Sequence, residues 1–352
     1  MFDLFVVGAG PAGCAAAIRA AIAGLKVGLA EGAAFPRDLP GEALYPDVDQ
    51  LFAELGVAAA IAEAGFIRYP GWILSNSDER NFIPFGGPEG LRFGYQAWRA
   101  DLDTLLLARA RAVGVKVFQP ARISSLGMIE GRLSSAQVNG REIRFRHLVD
   151  SSGANSLLKR ELNLPVKRFS PRLTARYGYV SGSFEQGSMP EFHLHSCAWT
   201  WIERVKSDCC QFVQLRLAPE AELPALPPMF NQAKRSRGAD VTWRMVPTCA
   251  GLGYFLCGDA AAVLDPAASS GVARALTSGL KAAELVVRIH SGNIDEASAA
   301  QTYRTWCREQ FVSYARQLAS RYAELEAPPM WLEQLEELFV ERVDESARIG
   351  LH

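Results

Sequence analysis

The sequence has no excess of charge of either sign. Its 352 residues carry 37 lysines and arginines against 38 aspartates and glutamates, a formal net charge of −1. This balance argues against a nucleic-acid-binding surface and against an acidic disordered chain. With 49% hydrophobic and 21% charged residues, the composition is that of an ordinary globular protein. We therefore expect no nucleic-acid partner, and a chain long enough for one large domain or two interleaved ones.

Long apolar runs are also missing. The richest apolar stretch near the start, from Pro11 to Ala30, is interrupted by Arg19 and Lys26. A helix that spans a bilayer needs about 20 consecutive, mostly apolar residues. The sequence therefore predicts that the protein has no membrane partner.

Cysteines at metal-binding or redox spacing are absent. The seven cysteines include no CxxC pair, and Cys209 and Cys210 are adjacent, a spacing that suits neither a zinc site nor an ordinary disulfide. An odd count of this kind is typical of reduced thiols in a cytoplasmic protein. We expect a cytoplasmic location and no metal site.

The stretch FDLFVVGAGPAG, close to the amino terminus, has the GxGxxG spacing of a dinucleotide-binding loop. An apolar strand over residues 2–7 precedes it, and an alanine-rich helix over residues 11–23 follows. The first glycine allows a tight turn, the second a close approach to a pyrophosphate, and the third close helix–strand packing. The free N–H groups of the helix add a positive dipole end. These residues are the first cofactor candidates: Gly8, Gly10, Pro11, Ala12 and Gly13.

An acidic residue stands where a ribose-binding carboxylate is expected. A second strand is predicted over residues 26–31, and it ends in Glu31, in the region of about 20 residues after the glycines where such an acid occurs. The complete series, in which a strand, the glycines, a helix, a second strand and an acidic residue follow one another, indicates a bound dinucleotide far more strongly than the glycines alone.

A second motif separates FAD from NAD. The stretch YFLCGDAAAVLDPAASSG places Gly258 and Asp259 after a short apolar strand, followed by a loop with Pro266 and Gly271 and then a helix. Asp259 can accept hydrogen bonds from polyol hydroxyls, and the helix N-terminus can stabilise negative charge on a reduced isoalloxazine. A plain NAD dehydrogenase has no need of such a site, so we expect FAD.

These paired motifs resemble the FAD-dependent oxidoreductases of the p-hydroxybenzoate hydroxylase fold, which include single-component monooxygenases and flavin-dependent halogenases. The resemblance implies that Asp259 contacts the ribityl chain. It also implies that Arg99, just before an amphipathic helix, contacts the FAD phosphates or ribityl, although a solvent-exposed helix-cap arginine is the alternative. The stretch VDSSGANS resembles a segment that packs under the cofactor, where Asp150 is mainly structural and Ser156 ends the motif.

The predicted fold is α/β (α+β overall), with a Rossmann-like FAD-binding domain interleaved with a substrate domain. Alternating apolar residues bounded by Gly, Pro, Ser or Asp predict an antiparallel sheet in the substrate domain, one face of which covers the flavin. The expected boundaries are 1–65, 95–165 and 245–295 for the FAD-binding domain, 66–94 and 166–244 for the substrate domain, and 296–352 for C-terminal helices.

Two stretches resemble the halogenase branch of this fold. LPGEALYP matches its GE-x-x-x-P segment through Gly41, Glu42 and Pro46, and AWTWIERV has its W-x-W spacing. We count Gly41 among the cofactor-binding candidates. Two features depart from that branch: Glu203-Arg204 replaces its Ile-Pro, and the lysine that binds hypohalous acid in halogenases is missing. Arg68 is the nearest basic residue, and a permanently charged arginine cannot replace that lysine. Halogenation is therefore disfavoured.

The same stretches also resemble the monooxygenase-like maturases of quinone-cofactor oxidases of the lysine ε-oxidase and glycine oxidase type. Their G-F-Q-x-x-R-x-x-F-D segment is matched by Gly94, Gln96, Arg99 and Asp103, and their G-W-T-W segment by AWTW. The resemblance implies an FAD enzyme that hydroxylates a Trp side chain in a precursor protein of such an oxidase, on the way to a tryptophylquinone.

Other functions of the fold stay open. They are a small-molecule monooxygenase or dehydrogenase, a reductase of prenyl chains, and a non-catalytic flavoprotein. No second dinucleotide fingerprint is visible, so we expect NADH or NADPH to bind transiently as the reductant.

Five side chains are candidates for the substrate side of the site. Glu42 lies in an apolar, glycine-rich loop near the expected flavin edge, where a raised pKa would suit acid–base work; a loop-closing carboxylate is the alternative. His193 and His195 alternate on a predicted strand and would line the pocket or orient a substrate. Trp199 and Trp201 share one strand face, where they either wall the site or fill the core.

Overall fold

The computed structural model describes residues 1–37, 42–76, 79–182, 189–226, 228, 230, 236–335 and 338–339. Its helices are α1 (Pro11–Ile22), α2 (Val48–Leu55), α3 (Ala58–Glu63), α4 (Arg99–Ala112), α5 (Leu157–Glu161), α6 (Gly271–His290) and α7 (Glu296–Ala323). Short 3-10 helices form at Gly258–Ala260, Pro266–Ala268 and Met330–Leu335. The strands are β1 (Phe2–Val7), β2 (Val27–Ala30), β3 (Glu42–Leu44), β4 (Ile67–Tyr69), β5 (Gly71–Ser75), β6 (Arg80–Pro84), β7 (Gly86–Gly87), β8 (Gly90–Leu91), β9 (Gly94–Ala97), β10 (Lys116–Phe118), β11 (Ile123–Ile129), β12 (Arg132–Val138), β13 (Arg141–Asp150), β14 (Lys167–Arg168), β15 (Thr174–Ser181), β16 (Glu191–Leu194), β17 (Ala198–Lys206), β18 (Cys209–Arg216), β19 (Ser236–Asp240), β20 (Arg244–Met245), β21 (Ala250–Gly251), β22 (Tyr254–Leu256) and β23 (Ala262–Val263).

A parallel sheet in the order β10-β2-β1-β13-β22 forms the centre of the molecule. Its central strands β1 and β2 are runs of mostly buried, apolar residues, as expected for a sheet covered on both faces, whereas the edge strand β10 is only partly buried. Val7 pairs with Ala30 and with Asp150, and Asp150 pairs with Leu256. The carboxyl ends of four sequence-distant segments therefore meet at one edge, which is where ligands bind in open α/β sheets. The predicted α/β class and Rossmann-like core are confirmed.

The second large sheet has seven strands in the order β19-β15-β18-β17-β16-β5-β6. Strands β5 and β6 come from the earlier of the two segments predicted for the substrate domain, and the others come from the later one. The sheet is antiparallel as predicted, except that β16 and β5 run parallel. This exception arises where strands from the two separate segments meet. The boundaries of the domains themselves stay a prediction.

A third, three-stranded sheet in the order β3-β9-β4 contains the strand of Glu42. One of its faces contributes Ala43 and Tyr69 to a small buried cluster with Phe85, against which Trp72 and Trp201 of the seven-stranded sheet pack. This small sheet therefore links the substrate-side sheet to the edge where the parallel strands end.

Helix α7 runs along two hydrophobic cores. Its first half contributes Tyr303 and Cys307 to the core of the parallel sheet, and its second half contributes Phe311 and Tyr322 to the core behind the seven-stranded sheet. No described helix combines the length and the apolar character that crossing a bilayer requires. All seven cysteines are free thiols in the structure.

One buried carboxylate, that of Asp265, connects the seven-stranded sheet and helix α7 through hydrogen bonds. Asp265 accepts hydrogen bonds from the Trp243 indole (Nε1···Oδ2 2.6 Å) and the Tyr322 hydroxyl (2.6 Å), and it caps the 3-10 turn at Ala267 (3.0 Å). The Tyr322 hydroxyl in turn accepts from Trp199 Nε1 at 3.1 Å. The loop after β23, helix α7 and strand β17 thus share one hydrogen-bond network.

We expect Asp265→Ala to lower the free energy of unfolding by about 3–5 kcal/mol, because it leaves two buried donors without an acceptor. Urea denaturation followed by tryptophan fluorescence measures this. The comparison variant Tyr322→Phe removes one donor to the carboxylate and the acceptor of the Trp199 indole, and it keeps the carboxylate's other partners, so a smaller loss of about 1–3 kcal/mol is expected. A loss below about 1 kcal/mol for Asp265→Ala would contradict the network's role.

Candidate functional site

The glycine loop is shaped by backbone crowding. Gly8 has φ +94°, and a Cβ there would lie 2.5 Å from the carbonyl oxygen of Ser151. A Cβ at Gly13 would lie 1.9 Å from the carbonyl oxygen of Gly8. At Gly10 the only neighbour of such a Cβ within 4 Å is the flexible end of Arg37, at 3.3 Å. Gly8 and Gly13 therefore fix the fold of the loop, while Gly10 presents bare backbone to the cavity in front of it.

That cavity, of about 620 Å³, joins the two motifs predicted from distant parts of the chain. Helix α1 begins at its edge with no side chain bonded to its first N–H groups. Nine of the predicted cofactor residues line it: Gly8, Gly10, Pro11, Ala12, Glu31, Arg99, Gly258, Asp259 and Gly271.

Three predicted cofactor residues lie elsewhere. Gly13 packs against the loop behind the cavity wall, and Pro266 is an exposed first residue of its 3-10 turn. Gly41 lies outside the described residues.

Glu31 holds the loop as well as facing the cavity. Its Oε2 accepts from the Ala9 amide at 2.7 Å and its Oε1 from the Ala33 amide at 2.8 Å, and Arg37 Nη1 lies 3.3 Å from Oε2. Oε1, which accepts only from Ala33, has a second lone pair, so Glu31 can still accept from a ribose hydroxyl there.

Arg99 sits in a buried ion cluster instead of capping a helix in solvent. Its Nε lies 3.0 Å from Asp103 Oδ1 and its Nη1 lies 3.1 Å from Glu42 Oε1, while Arg37 Nη2 lies 2.9 Å from Asp103 Oδ2. The Asp103 side chain is fully buried. Asp103 and Glu42 raise the pKa of Arg99 against the opposing effect of burial.

Glu42 reaches the cavity from strand β3. Burial raises the pKa of its carboxyl, and the neighbouring Arg99 lowers it. A carboxyl that lines a cavity and is bonded to an arginine through one oxygen can hold or release a proton at the other. The structure thus gives Glu42 a place in the site; its catalytic role stays a prediction.

These residues fit FAD. Bare backbone at Gly10 and the uncapped N-terminus of α1 suit the pyrophosphate, Glu31 suits the adenosine ribose, and Asp259, which lines the same cavity, suits the hydroxyls of the ribityl chain. Asp150, by contrast, is fully buried and accepts from Ser152 Oγ (2.6 Å), Ser156 Oγ (2.7 Å) and the Leu158 amide (2.7 Å), the structural role expected of it.

The two predicted tryptophans differ in environment. Trp199 is buried in the core and bonded to Tyr322, whereas Trp201 is partly exposed and lies 6.4 Å, ring centroid to centroid, from Trp72. Trp199 therefore fills the core, and Trp201 is the one available to wall a site.

His193 and His195 lie on the other side of the seven-stranded sheet. Phe192 pairs with Trp201, but His193 pairs with Thr200, and directly paired residues share a face. His193 Nε2 lies 3.0 Å from Glu191 Oε2, and His195 Nε2 lies 3.4 Å from the Thr200 hydroxyl. The structure does not bring either histidine to the cavity. Across the described ranges, no three His, Cys, Asp or Glu side chains are grouped so as to hold a metal ion.

Sequence reasoning did not single out Glu203, a buried acidic residue of the substrate-side sheet. It is buried on the Trp201 face of β17, its Oε1 accepts from Gln211 Nε2 at 3.2 Å, and burial raises its pKa to about 8. The signal was present, because Trp199, Trp201 and Glu203 alternate on one strand. The ion partners Arg37 and Asp103 were also missed as site residues, since nothing in the sequence shows that they meet.

Known proteins resemble the chain over most of its length. A tryptophan 2-halogenase from Chondromyces crocatus is 30% identical over 362 residues, covering 91% of this chain and 67% of the halogenase. A 1H-pyrrole-2-carbonyl-peptidyl-carrier-protein brominase from Pseudoalteromonas luteoviolacea is 28% identical over 342 residues, covering 87% and 82%. The solved structure of a myxobacterial chondrochloren halogenase, an FAD-dependent halogenase, has a TM-score of 0.81 at 21% identity, covering 99% and 91%; it shares the fold. No protein-family model matches.

We expect Gly10→Ala to raise the dissociation constant of FAD at least about tenfold, because the new methyl group occupies the surface that a pyrophosphate approaches. Quenching of flavin fluorescence measures the constant, and the melting temperature of the FAD-free protein should stay unchanged. Gly87→Ala, at a glycine whose Cβ meets nothing within 4 Å, is the control. Equal FAD affinity in both variants would contradict the assignment.

Glu203 makes stability depend on pH in a defined direction. Its folded-state pKa of about 8 exceeds the ordinary value of 4.5, so its contribution to stability is complete below the ordinary value and is lost as pH rises to 8. Between these values the wild type should lose up to about 1.4 kcal/mol per pH unit more than Glu203→Gln. Urea melts from acidic to mildly alkaline pH test this, and parallel pH profiles for the two proteins would contradict it.

Proposed function

The chain belongs to the family of flavin-dependent halogenases, and from this premise we propose that it is an FAD-dependent monooxygenase-type enzyme that hydroxylates an electron-rich aromatic ring. The finer proposal is that this ring is a Trp side chain of a precursor protein, on the way to a tryptophylquinone. The family members compared above act on tryptophan and on a pyrrole carried by a peptidyl carrier protein. Both are electron-rich nitrogen heterocycles, and the second is presented on a protein.

The basic side chains of the cavity support hydroxylation over halogenation. Among the described residues, the basic side chains that line the cavity are Arg37, Arg99 and Arg160, and none of the lining residues is a lysine. Arg37 and Arg99 are both engaged by carboxylates. Arginine stays protonated at every working pH, so none of the three can take the part of the lysine that binds hypohalous acid in halogenases. This absence of a cavity lysine carries the proposal.

When bound, FAD would supply the redox chemistry, passing two electrons from a reductant to dioxygen. In the balanced reaction one oxygen atom enters a ring C–H bond and the other leaves as water. NADH or NADPH is proposed as the reductant.

The side chains around the cavity would position the reacting groups and supply or accept protons. Arg99, fixed by Asp103, holds Glu42 at the cavity rim through one carboxylate oxygen. Glu42 can then hold or release a proton at its other oxygen, close to where Asp259 also borders the cavity. Trp201 and Trp72 offer an aromatic wall on the substrate side.

We expect FAD-loaded protein, reduced with NADH or NADPH and mixed with dioxygen and a tryptophan-containing peptide, to add one oxygen atom to the peptide. Liquid chromatography with mass spectrometry identifies the product, and the yield should not depend on added bromide. Glu42→Gln should lower the yield at least about tenfold, because it removes the proton-exchanging group. A brominated product that forms only with bromide would contradict hydroxylation and support halogenation.

A further inference from the structure

A second, smaller cavity of about 70 Å³ lies between helices α6 and α7. Helix α6 lines the large cavity with Val272 and Ala275, and it lines the small one with Arg274 and Thr277. At 3.6 residues per turn, these two pairs lie on roughly opposite faces of the helix. The small cavity is therefore separate from the space that fits FAD, although Gly258 borders both.

Arg274 brings a positive charge into the small cavity. Among the described residues that line this cavity, it is the single charged one, and none is an aspartate or a glutamate. Arg274 Nη2 donates to the carbonyl oxygen of Ala262 at 3.0 Å, and the guanidinium carbon lies 5.7 Å from the centre of the Tyr314 ring. Within the part of the chain that the structure describes, Arg274 forms no ion pair with a carboxylate.

The protein leaves this charge without a direct counter-charge. Burial lowers the pKa of Arg274, and the charges of Asp259 and Asp265, which lie beyond ion-pair distance, offset that effect only in part. At Arg99 the adjacent carboxylates outweigh burial and raise the pKa. Because arginine stays protonated, and because buried charges are normally paired, the Arg274 guanidinium calls for a negative partner.

The other polar side chains of the small cavity add donors. Trp306, Gln310 and Tyr314 line it from helix α7, and none of their side chains is hydrogen-bonded to another described residue. An indole N–H can only donate, and the amide and the phenol each carry a donor. The Thr277 hydroxyl is already used, because it donates to the carbonyl oxygen of Ala273 at 2.8 Å. A lining with one cation and several unused donors suits a ligand that only accepts hydrogen bonds.

The structure assigns the small cavity as a binding site for a small carboxylate anion, held by the charge of Arg274. A guanidinium fork matches the two oxygens of a carboxylate, and the hydrogen bond to Ala262 fixes the orientation of the fork. At roughly 30 Å³ per water molecule, a volume of about 70 Å³ has room for formate or acetate but not for an aromatic acid. The site does not depend on the proposed function.

The alternative is a cavity filled with water, and ligand charge and size separate the two interpretations. Acetamide has the shape of acetate without its charge, and benzoate has the charge with a ring that the cavity cannot hold. A water-filled cavity would treat acetate and acetamide alike. A site built around Arg274 would prefer acetate to both of the other compounds.

Helix α7 offers a matched control arginine. Arg304 also donates to a backbone carbonyl oxygen, that of Ala250 at 3.0 Å, and its Nη2 donates to Gln301 Oε1 at 2.6 Å. It lines neither of the two cavities. Arg304→Met therefore removes the same charge from the same region without touching the proposed site.

The test is NMR titration of labelled acetate with FAD-loaded protein, in which broadening of the acetate signal reports binding. Gluconate, an anion too large for the cavity, keeps the ionic strength constant. We expect the wild type to bind acetate at least about tenfold more tightly than acetamide or benzoate. Arg274→Met should weaken acetate binding at least about tenfold, and so should Arg274→Gln, which keeps a donor but loses the charge. Arg304→Met should bind acetate as the wild type does.

Thermal melting gives a second measurement on the same proteins. Since a ligand that binds only the folded state stabilises it, replacing gluconate by acetate should raise the melting temperature of the wild type and of Arg304→Met. The melting temperatures of Arg274→Met and Arg274→Gln should not change.

The assignment would be overturned by acetate binding that survives both substitutions at Arg274, or by an equal loss in Arg304→Met. Equal affinity for acetate and acetamide, or no acetate binding by the wild type, would overturn it as well. Neither measurement needs turnover, so the site and the proposed function fail separately. Acetate binding without any oxygenated product would overturn hydroxylation alone, and oxygenated product without acetate binding would overturn this site alone.

Discussion

The close approach of two helix backbones is the constraint on which the site depends. Helix α6 crosses α1 at Gly279, where a Cβ would lie only 2.1 Å from the carbonyl oxygen of Ala12. This contact sets the N-terminus of α6 and the Gly258–Ala260 turn against the glycine loop, across more than 200 residues of sequence. Any side chain at Gly279 would separate the helices and open the cavity, so the two halves of the cofactor site exist only while this crossing is tight.

Two arginines hold carboxylates that line the cavity in place. Arg37 and Arg99 share the buried Asp103, and each reaches one further carboxylate, Glu31 or Glu42. Planar guanidinium groups can bridge several carboxylates at fixed angles, which a lysine cannot do. The network therefore fixes two carboxylates that line the cavity, those of Glu31 and Glu42.

The sequence was most informative where function depends on backbone geometry. The glycine spacing, Glu31 and the Gly258-Asp259 pair could be predicted because turns, helix N-termini and strand ends have local signatures. The face of a sheet on which a residue lies was harder to predict, because it depends on how the strands are paired in register. His193 and His195 follow a clean alternation, yet that alternation shows only that they share a face, not which face meets the cavity.

Residues that depend on tertiary packing could not be found in this way. Nothing local to Asp103 shows that Arg37 lies beside it, and the burial of Gln96 depends on a sheet formed by three separate segments. Glu203 is the instructive case, because its alternation with two tryptophans was visible as a pattern. Its burial, and the raised pKa that follows from burial, appeared only in the structure.

The single cofactor site is tested most directly by a titration of FAD into the FAD-free protein, repeated in the presence of ADP. One FAD should bind per chain, and ADP should compete with it, because ADP would fill the glycine-loop half of the same cavity. A protein that takes up no FAD, or FAD binding that excess ADP leaves unchanged, would contradict a single site built from the two motifs.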